Sequence, residues 1–273
     1  MTSPTVPALP AGHYRFRNVA AMEWRKLRSL RSTRWTLLAT VLGSIGLGVA
    51  VLGSYSPGHF TRMTAEQRAA FDPTNMGFSG TAIAMLALPI LGVLAMTGEY
   101  SSGMIRATLA AVPDRRLVLA AKAAVFGAAG LAVGELVVFA NFLAGEAVLT
   151  DAAPHASLSQ PAVLRAVLLT GGYLGVLGLL GLGFGAIIRH TAGAITAVVG
   201  GLFVLPMIIL IAGGASTLDS VGKYAPMFIN ENSVGAVKPV AHALSAWAGI
   251  GMICLYAAVA CGLGGWLLHR RDA

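Results

Sequence analysis

Six apolar runs follow one another along the chain, each about as long as a lipid bilayer is thick. A helix needs about 20 apolar residues to cross about 30 Å of hydrocarbon. By that measure Trp35–Ser54, Phe78–Thr97, Leu117–Leu149, Leu164–Ile188, Thr191–Ala212 and Ala243–His269 predict six transmembrane helices. The third run is long enough to tilt or to project beyond the bilayer. An all-α polytopic membrane protein follows, with a six-span domain over residues 35–273.

Polar positions organise what lies between the runs. Residues 1–13 hold three prolines and no periodicity, which predicts a disordered tail. Over residues 14–34 the pattern becomes basic and helical. Phe16, Val19, Ala20, Trp24, Leu27 and Leu30 fall on one arc, while Arg17, Arg25, Arg28, Ser29 and Ser32 face away. This predicts an amphipathic helix in the headgroup plane, or else a basic flank that orients the first span. Glu23, Arg31 and Arg34 fall inside the apolar arc and spoil the match.

One short charged stretch, Gly98–Lys122, separates the second and third runs, with Glu99, Arg106, Asp114, Arg115, Arg116 and Lys122. The N-terminal region supplies seven of the 19 Lys and Arg, this stretch four, Arg189 one and the C-terminus two, which leaves five on the other side. The positive-inside rule then puts both termini and the Gly98–Lys122 stretch in the cytoplasm.

The opposite connections differ among themselves. Tyr55–Gly77 is polar and predicted helical around Thr64–Phe71, and Thr150–Val163 carries Asp151, His155 and two prolines. Gly213–His242 mixes Pro226 and Pro239 with Met227, Phe228 and Ile229, which predicts either short re-entrant helices or a plain surface loop. Gly171, Gly175, Gly178, Gly181 and Gly185 recur at helical spacing in the fourth run. Such a stripe lets helix backbones approach closely, within one subunit or across a dimer seam.

Composition narrows the function classes. Hydrophobic residues make up 56% and charged residues 11%, against about 25% charged in soluble domains. The net charge of +8 sits at the ends of apolar runs rather than on one water-facing surface, which argues against nucleic acid. Cys254 and Cys261 lie about 10 Å apart along one helix, too far for a disulfide.

The sequence contains no GxxxxGK[ST], HExxH, CxxC or GxSxG pattern, and the six histidines have no metal-ligand spacing. Within the third run stand Glu135, Asn141 and Glu146. A charge at the bilayer centre costs about 2.5–3.5 kcal/mol, so Glu135 is expected to face a cavity or a neighbouring helix. Glu146 is expected to pair with Arg165 at the outer end.

The stretch GEYSSGMIRATLAAVPDRRLVLAAK, set between two spans and preceded by a basic segment ending in RSTRW, resembles the membrane subunit of a type-2 ATP-binding-cassette (ABC) transporter of the bacterial six-span kind. The matching features are Glu99 and Tyr100 closing the second span, the Ser101–Gly103 turn and the Ile105-Arg106-x-Thr108-Leu109 helix. Pro113, the Arg115-Arg116 pair and Lys122 complete them.

The resemblance implies an elbow helix carrying Trp24, Arg25, Leu27 and Arg28, re-entrant outer helices between spans five and six, and a cytoplasmic coupling helix between spans two and three. Glu99, Tyr100, Ser102, Arg106, Thr108, Asp114, Arg115 and Arg116 would serve the contact with the ATPase. It implies two copies of an ATPase subunit, which bring ATP and Mg, and a second permease subunit, identical or paralogous. This chain itself would be non-enzymatic, with no cofactor, in the bacterial plasma membrane.

Cargo would pass between the two permease copies near Phe203 and Met207. The apolar lining suggests an exported antibiotic, lipid or peptide. A sensor or immunity subunit that binds a cell-surface compound without moving it is the alternative. An intramembrane enzyme is disfavoured by the missing acid, base or metal set.

Overall fold

A computed structural model describes residues 15–29, 31–54, 62–149, 154–234 and 243–270. The expected disordered tail lies outside these residues, as do Leu30, Asp151, Pro239 and Arg271. Among the described residues the regular structure is helical throughout, and six helices are long and apolar enough to span a membrane. The chain is a multi-pass α-helical membrane protein.

The elements in order are α1 (Phe16–Ser29), α2 (Arg31–Gly53), α3 (Ala65–Ala70), α4 (Pro73–Gly77), α5 (Thr81–Ser101), α6 (Met104–Ala111) and α7 (Arg115–Val148). They continue with α8 (Pro161–Ile188), α9 (Thr191–Val199), α10 (Leu205–Ser220), α11 (Pro226–Ile229) and α12 (Ala246–Arg270). Arg31 and Arg34 belong to the spanning helix α2, not to the amphipathic helix, which ends earlier than the sequence pattern suggests. Their long side chains can reach the interface from the end of a span, so they need not obey the amphipathic pattern.

Helix α8 is the axis of the bundle. Two thirds of its most apolar window is buried, against about a fifth for α2 and α12, and α5, α7 and α12 pack around it. Its glycines make this possible. A Cβ at Gly181 would run into the carbonyl of Pro89 on α5, and one at Gly92 would run into the carbonyl of Gly178. Gly175 likewise lies against the main chain of Leu131 on α7, and Gly183 against Ala260 on α12. The glycine stripe is therefore spent on packing inside one chain, which settles the choice left open above.

The third span, α7, has 34 residues and runs about 51 Å at 1.5 Å per residue, well beyond the hydrocarbon thickness. The fifth is a continuous rod in which α9 passes through a π-helical stretch, Gly200–Val204, into α10. The apolar span ends at Ile211, next to the expected Ala212, and the helix itself continues to Ser220. Gly213 and Gly214 lower the local hydropathy without breaking the helix.

After Ser220 the chain turns back into the bundle. The Tyr173 hydroxyl donates to the Pro226 carbonyl (2.7 Å) and the Tyr256 hydroxyl to the Tyr224 carbonyl (3.0 Å). Tyr173 stands twelve residues inside α8, so the segment reaches roughly 18 Å along that helix. Ile229 and Val234 are fully buried and Asn230 nearly so. Up to Val234 this region forms short helices that pack against α8 and α12. Residues 235–242 lie outside the described set.

Candidate functional site

The ends of α1, α5, α6, α7, α9 and α12 gather at one end of the bundle. Gly103 makes the turn between α5 and α6 in the left-handed region, with φ of 69°, where a side chain would be strained. Ser101 and Ser102 donate their hydroxyls to the Gly98 carbonyl (3.2 and 2.7 Å) and close the last turn of α5. Helix α6 stops at Val112, where the following Pro113 disfavours helical backbone. Asp114 then caps α7 by accepting from the N–H groups of Arg116 and Leu117 (3.0 and 3.1 Å).

Helix α6 is two-faced. Ile105 and Thr108 are buried, while Arg106, Ala107, Ala110 and Ala111 are exposed and Met104 half so. Helix α1 packs across its base. Val19, Ala20 and Met22 meet Leu109 and Val112 at the end of α6 and Val118 and Ala121 at the start of α7.

Beneath these helices lies a buried cluster of two carboxylates and two ammonium groups. Glu99 Oε1 accepts from both Lys26 Nζ and Lys122 Nζ at 2.8 Å. Glu23 accepts from Lys26 through Oε1 (2.8 Å) and from Lys122 through Oε2 (2.5 Å). Lys26 also donates to Thr108 Oγ1 on α6 (3.0 Å). Glu23, Glu99 and Lys122 are 3–5% exposed.

The cluster is electrically neutral, which makes its burial tolerable. Burial alone would lower the Lys26 pKa, but the hydrogen bonds and charges of Glu23 and Glu99 outweigh it and hold the group above its ordinary value. Four elements, α1, α5, α6 and α7, are thereby tied at one point.

The misfit of Glu23 in the apolar arc of α1 now has its reason. Val19 and Glu23 face inward, Lys26 and Leu27 are partly buried, and Phe16 and Trp24 are 46% and 45% exposed. The expected apolar arc is thus split in two. Arg25 lies on the exposed side with Arg28, whose guanidinium stands 6.0 Å from the Trp24 ring.

A second set of contacts holds the ends of four spans. Arg189, with φ of 60° at the end of α8, lies 5.2 Å from the Tyr100 ring and donates to the Leu267 carbonyl (3.1 Å). Arg115 donates to the Leu268 carbonyl (2.8 Å). Two guanidinium groups thus satisfy the last carbonyls of α12, where the helix dipole favours positive charge. The ends of α1 and α12 lie on the same side as α6.

Of the residues the sequence marks for coupling, Ser102, Arg106 and Arg116 are at the surface. Glu99 and Thr108 point inward, Tyr100 stacks under Arg189, and Asp114 and Arg115 serve as caps. Sequence reasoning noted Glu23 only as a misfit and Lys122 only as a matching feature, and it passed over Lys26. The signals were a carboxylate within an apolar arc and a lysine five residues inside an apolar run.

At the opposite end Glu146 does not pair with Arg165. It accepts instead from the Ala156 N–H (3.1 Å) and lies 2.9 Å from His155 Nδ1. The connection after α7 folds back over its own helix and takes up the carboxylate first. Glu135 faces the neighbouring helix, where it fills the space above Gly171. Asn141 is buried, donates to the Val137 carbonyl (2.9 Å) and seats its other end against Gly48 and Gly80.

Phe203 lines a pocket of about 380 Å³ with Asp72, Asn75, Asn230 and Glu231. Met207 is half-exposed on the outside of the fifth span. Among the described residues no three His, Cys, Asp or Glu side chains gather to hold a metal. The chain matches no known family model, and no characterised protein matches it in sequence.

Proposed function

We propose that this chain is the membrane-spanning permease subunit of an ABC transporter, driven by a separate cytoplasmic ATPase. The observation that carries the reading is the mounting of α6. A free-standing loop between two spans has no reason to be anchored, yet α6 is bonded through Thr108 to a buried ion cluster shared by α1, α5 and α7. A push on its exposed face reaches two spans and the amphipathic helix together. Energy released on another chain needs a contact of that kind.

In this reading α6 is the coupling helix, α1 the elbow helix, and Ser102, Arg106 and Arg116 meet the ATPase. Glu99, Thr108 and Tyr100 transmit from within. Both termini lie in the cytoplasm of a bacterial cell, where the basic end of the bundle faces anionic lipid. Two copies of the bundle, identical or paralogous, would carry a hydrophobic or amphiphilic compound outward between them. The test is co-purification with the ATPase from the same operon and its ATP turnover in liposomes. Arg106→Glu should abolish stimulation by the chain while leaving its folding intact. Stimulation that survives Arg106→Glu, or failure of any ATPase to bind, would count against the proposal.

A further inference from the structure

A groove of about 610 Å³ lies between spans five and six, floored by Leu180, Phe184 and Ile187 of α8. Ala197 and Gly201 line one side, where the fifth span passes into its π-helical stretch, and Leu255, Val259 and Leu263 of α12 line the other. Pro226 stands at the end remote from α6, with its carbonyl bonded to Tyr173. The one hydroxyl among the lining side chains, that of Tyr256, is already spent on the Tyr224 carbonyl. What enters this groove must be apolar.

The α12 wall continues past the groove towards the basic end of the bundle. Leu255, Val259, Leu263, Trp266 and Arg270 follow one another at helical spacing along a single stripe, and all five are exposed. The Arg270 guanidinium lies 4.4 Å from the Trp266 ring, so it leans back towards the groove, as helical side chains do. At 1.5 Å per residue, Leu255 to Leu263 is about 12 Å and Leu255 to Arg270 about 22 Å. The first length takes up most of the ~15 Å of hydrocarbon in one leaflet, and the second reaches the headgroups.

Charge at that end has one sign. Arg189 crosses from α8 to the Leu267 carbonyl, and α8, α9 and α12 carry no Asp or Glu. We propose that the groove seats one acyl chain of an anionic phospholipid from the leaflet on the α6 side, with its phosphate at Arg270. A spanning helix of a second copy cannot run on through the groove, because Pro226 closes the far end. A soluble phosphate would leave the apolar walls uncovered, and a zwitterionic lipid brings no net charge to the guanidinium groups. The proposal rests on the membrane character of the chain and not on its partnership with an ATPase.

The full chain, purified in detergent, is offered phosphatidylglycerol, phosphatidylethanolamine or phosphatidylcholine in mixed micelles, and retained lipid is read by native mass spectrometry. One phosphatidylglycerol per chain is expected, preferred about fivefold, the factor one basic residue gives at an anionic surface. Arg270→Gln, at an exposed position, should bring the three lipids to parity while the chain still retains one. Gly201→Phe should cut retention of all three about fivefold or more, because a Cβ at this lining position meets nothing within 4 Å and the ring takes up the groove.

Equal retention of the three lipids by the wild-type chain, which needs no variant to measure, would overturn the proposal. So would an undiminished preference in Arg270→Gln, or undiminished retention in a folded Gly201→Phe chain. Displacement of the lipid by millimolar glycerol phosphate would assign the site to soluble anions and overturn it. A lipid-free dimer that Gly201→Phe splits into monomers would give the groove to a second copy and overturn it as well.

Discussion

Lys122, eight residues into α7, bonds Glu99, two residues before the end of α5, at 2.8 Å. The bond closes the base of the turn that carries α6, so that the two spans and the helix between them share one anchor. Breaking a buried pair by removing one partner costs about 3–5 kcal/mol, because the other charge is left without compensation. Lys122→Met is therefore expected to destabilise the chain by about that amount in thermal unfolding in detergent. The double variant with Glu99→Gln should recover part of the loss, and a double-mutant cycle reads the difference. Strict additivity would mean that the two groups do not act as a pair.

Lys26 adds a pH signature. Its pKa lies above the usual 10.5 in the folded chain, so folding favours its protonated form. The stability it contributes is fully present below pH 10.5 and is lost as pH rises through the higher folded value. The stability difference between the wild-type chain and Lys26→Met should be constant from neutral pH to about pH 9.5 and shrink beyond pH 10.5. A difference that grew with rising pH would contradict the geometry.

The packing of α8 makes a position-specific forecast. Gly181→Val places its side chain against the Pro89 carbonyl, a main-chain obstacle that cannot rotate away. An overpacking cost of about 1–3 kcal/mol or more is expected, seen as lost monodisperse protein in size-exclusion chromatography. Gly172→Val, one face away with nothing within 4 Å of its Cβ, should be tolerated. Equal behaviour of the two variants would mean that the helices are not so closely seated.

Glu135 has no cation partner among the described residues, and its Oε2 accepts no hydrogen bond. Glu135→Gln is expected to fold as well as the wild type, or to gain up to about 1 kcal/mol, since a buried charge without a partner is costly. Loss of transport in the folded variant would assign the carboxylate to cargo. Unchanged transport would make it a packing residue beside Gly171.

The six spans were legible because each is a predominantly apolar run set by bilayer thickness. Helix α6 was legible because Ser101–Gly103 and Pro113 punctuate it. The ion cluster was not. Glu23 and Lys122 are 99 positions apart and meet only once α1 has docked on α7, which no local pattern encodes. The expected Glu146–Arg165 pair failed for the converse reason, since matching charge at equal depth said nothing of a connection that folds back and brings His155 closer. The fifth span ends where its apolar run does, at Ile211, but the helix runs on to Ser220, because a run of small residues lowers hydropathy while leaving the helix intact.

The central claim is that α6 faces the cytoplasm and bears on another chain. The most direct measurement puts a single cysteine at Ala107, on the exposed face of α6, after replacement of Cys254 and Cys261. Cell-impermeant maleimide and a short cysteine cross-linker are then applied to intact cells and to inverted vesicles. The account predicts labelling only in inverted vesicles and a cross-link to the ATPase subunit whose yield changes with ATP. Labelling of intact cells, or a cytoplasmic cysteine that cross-links to nothing, would contradict it.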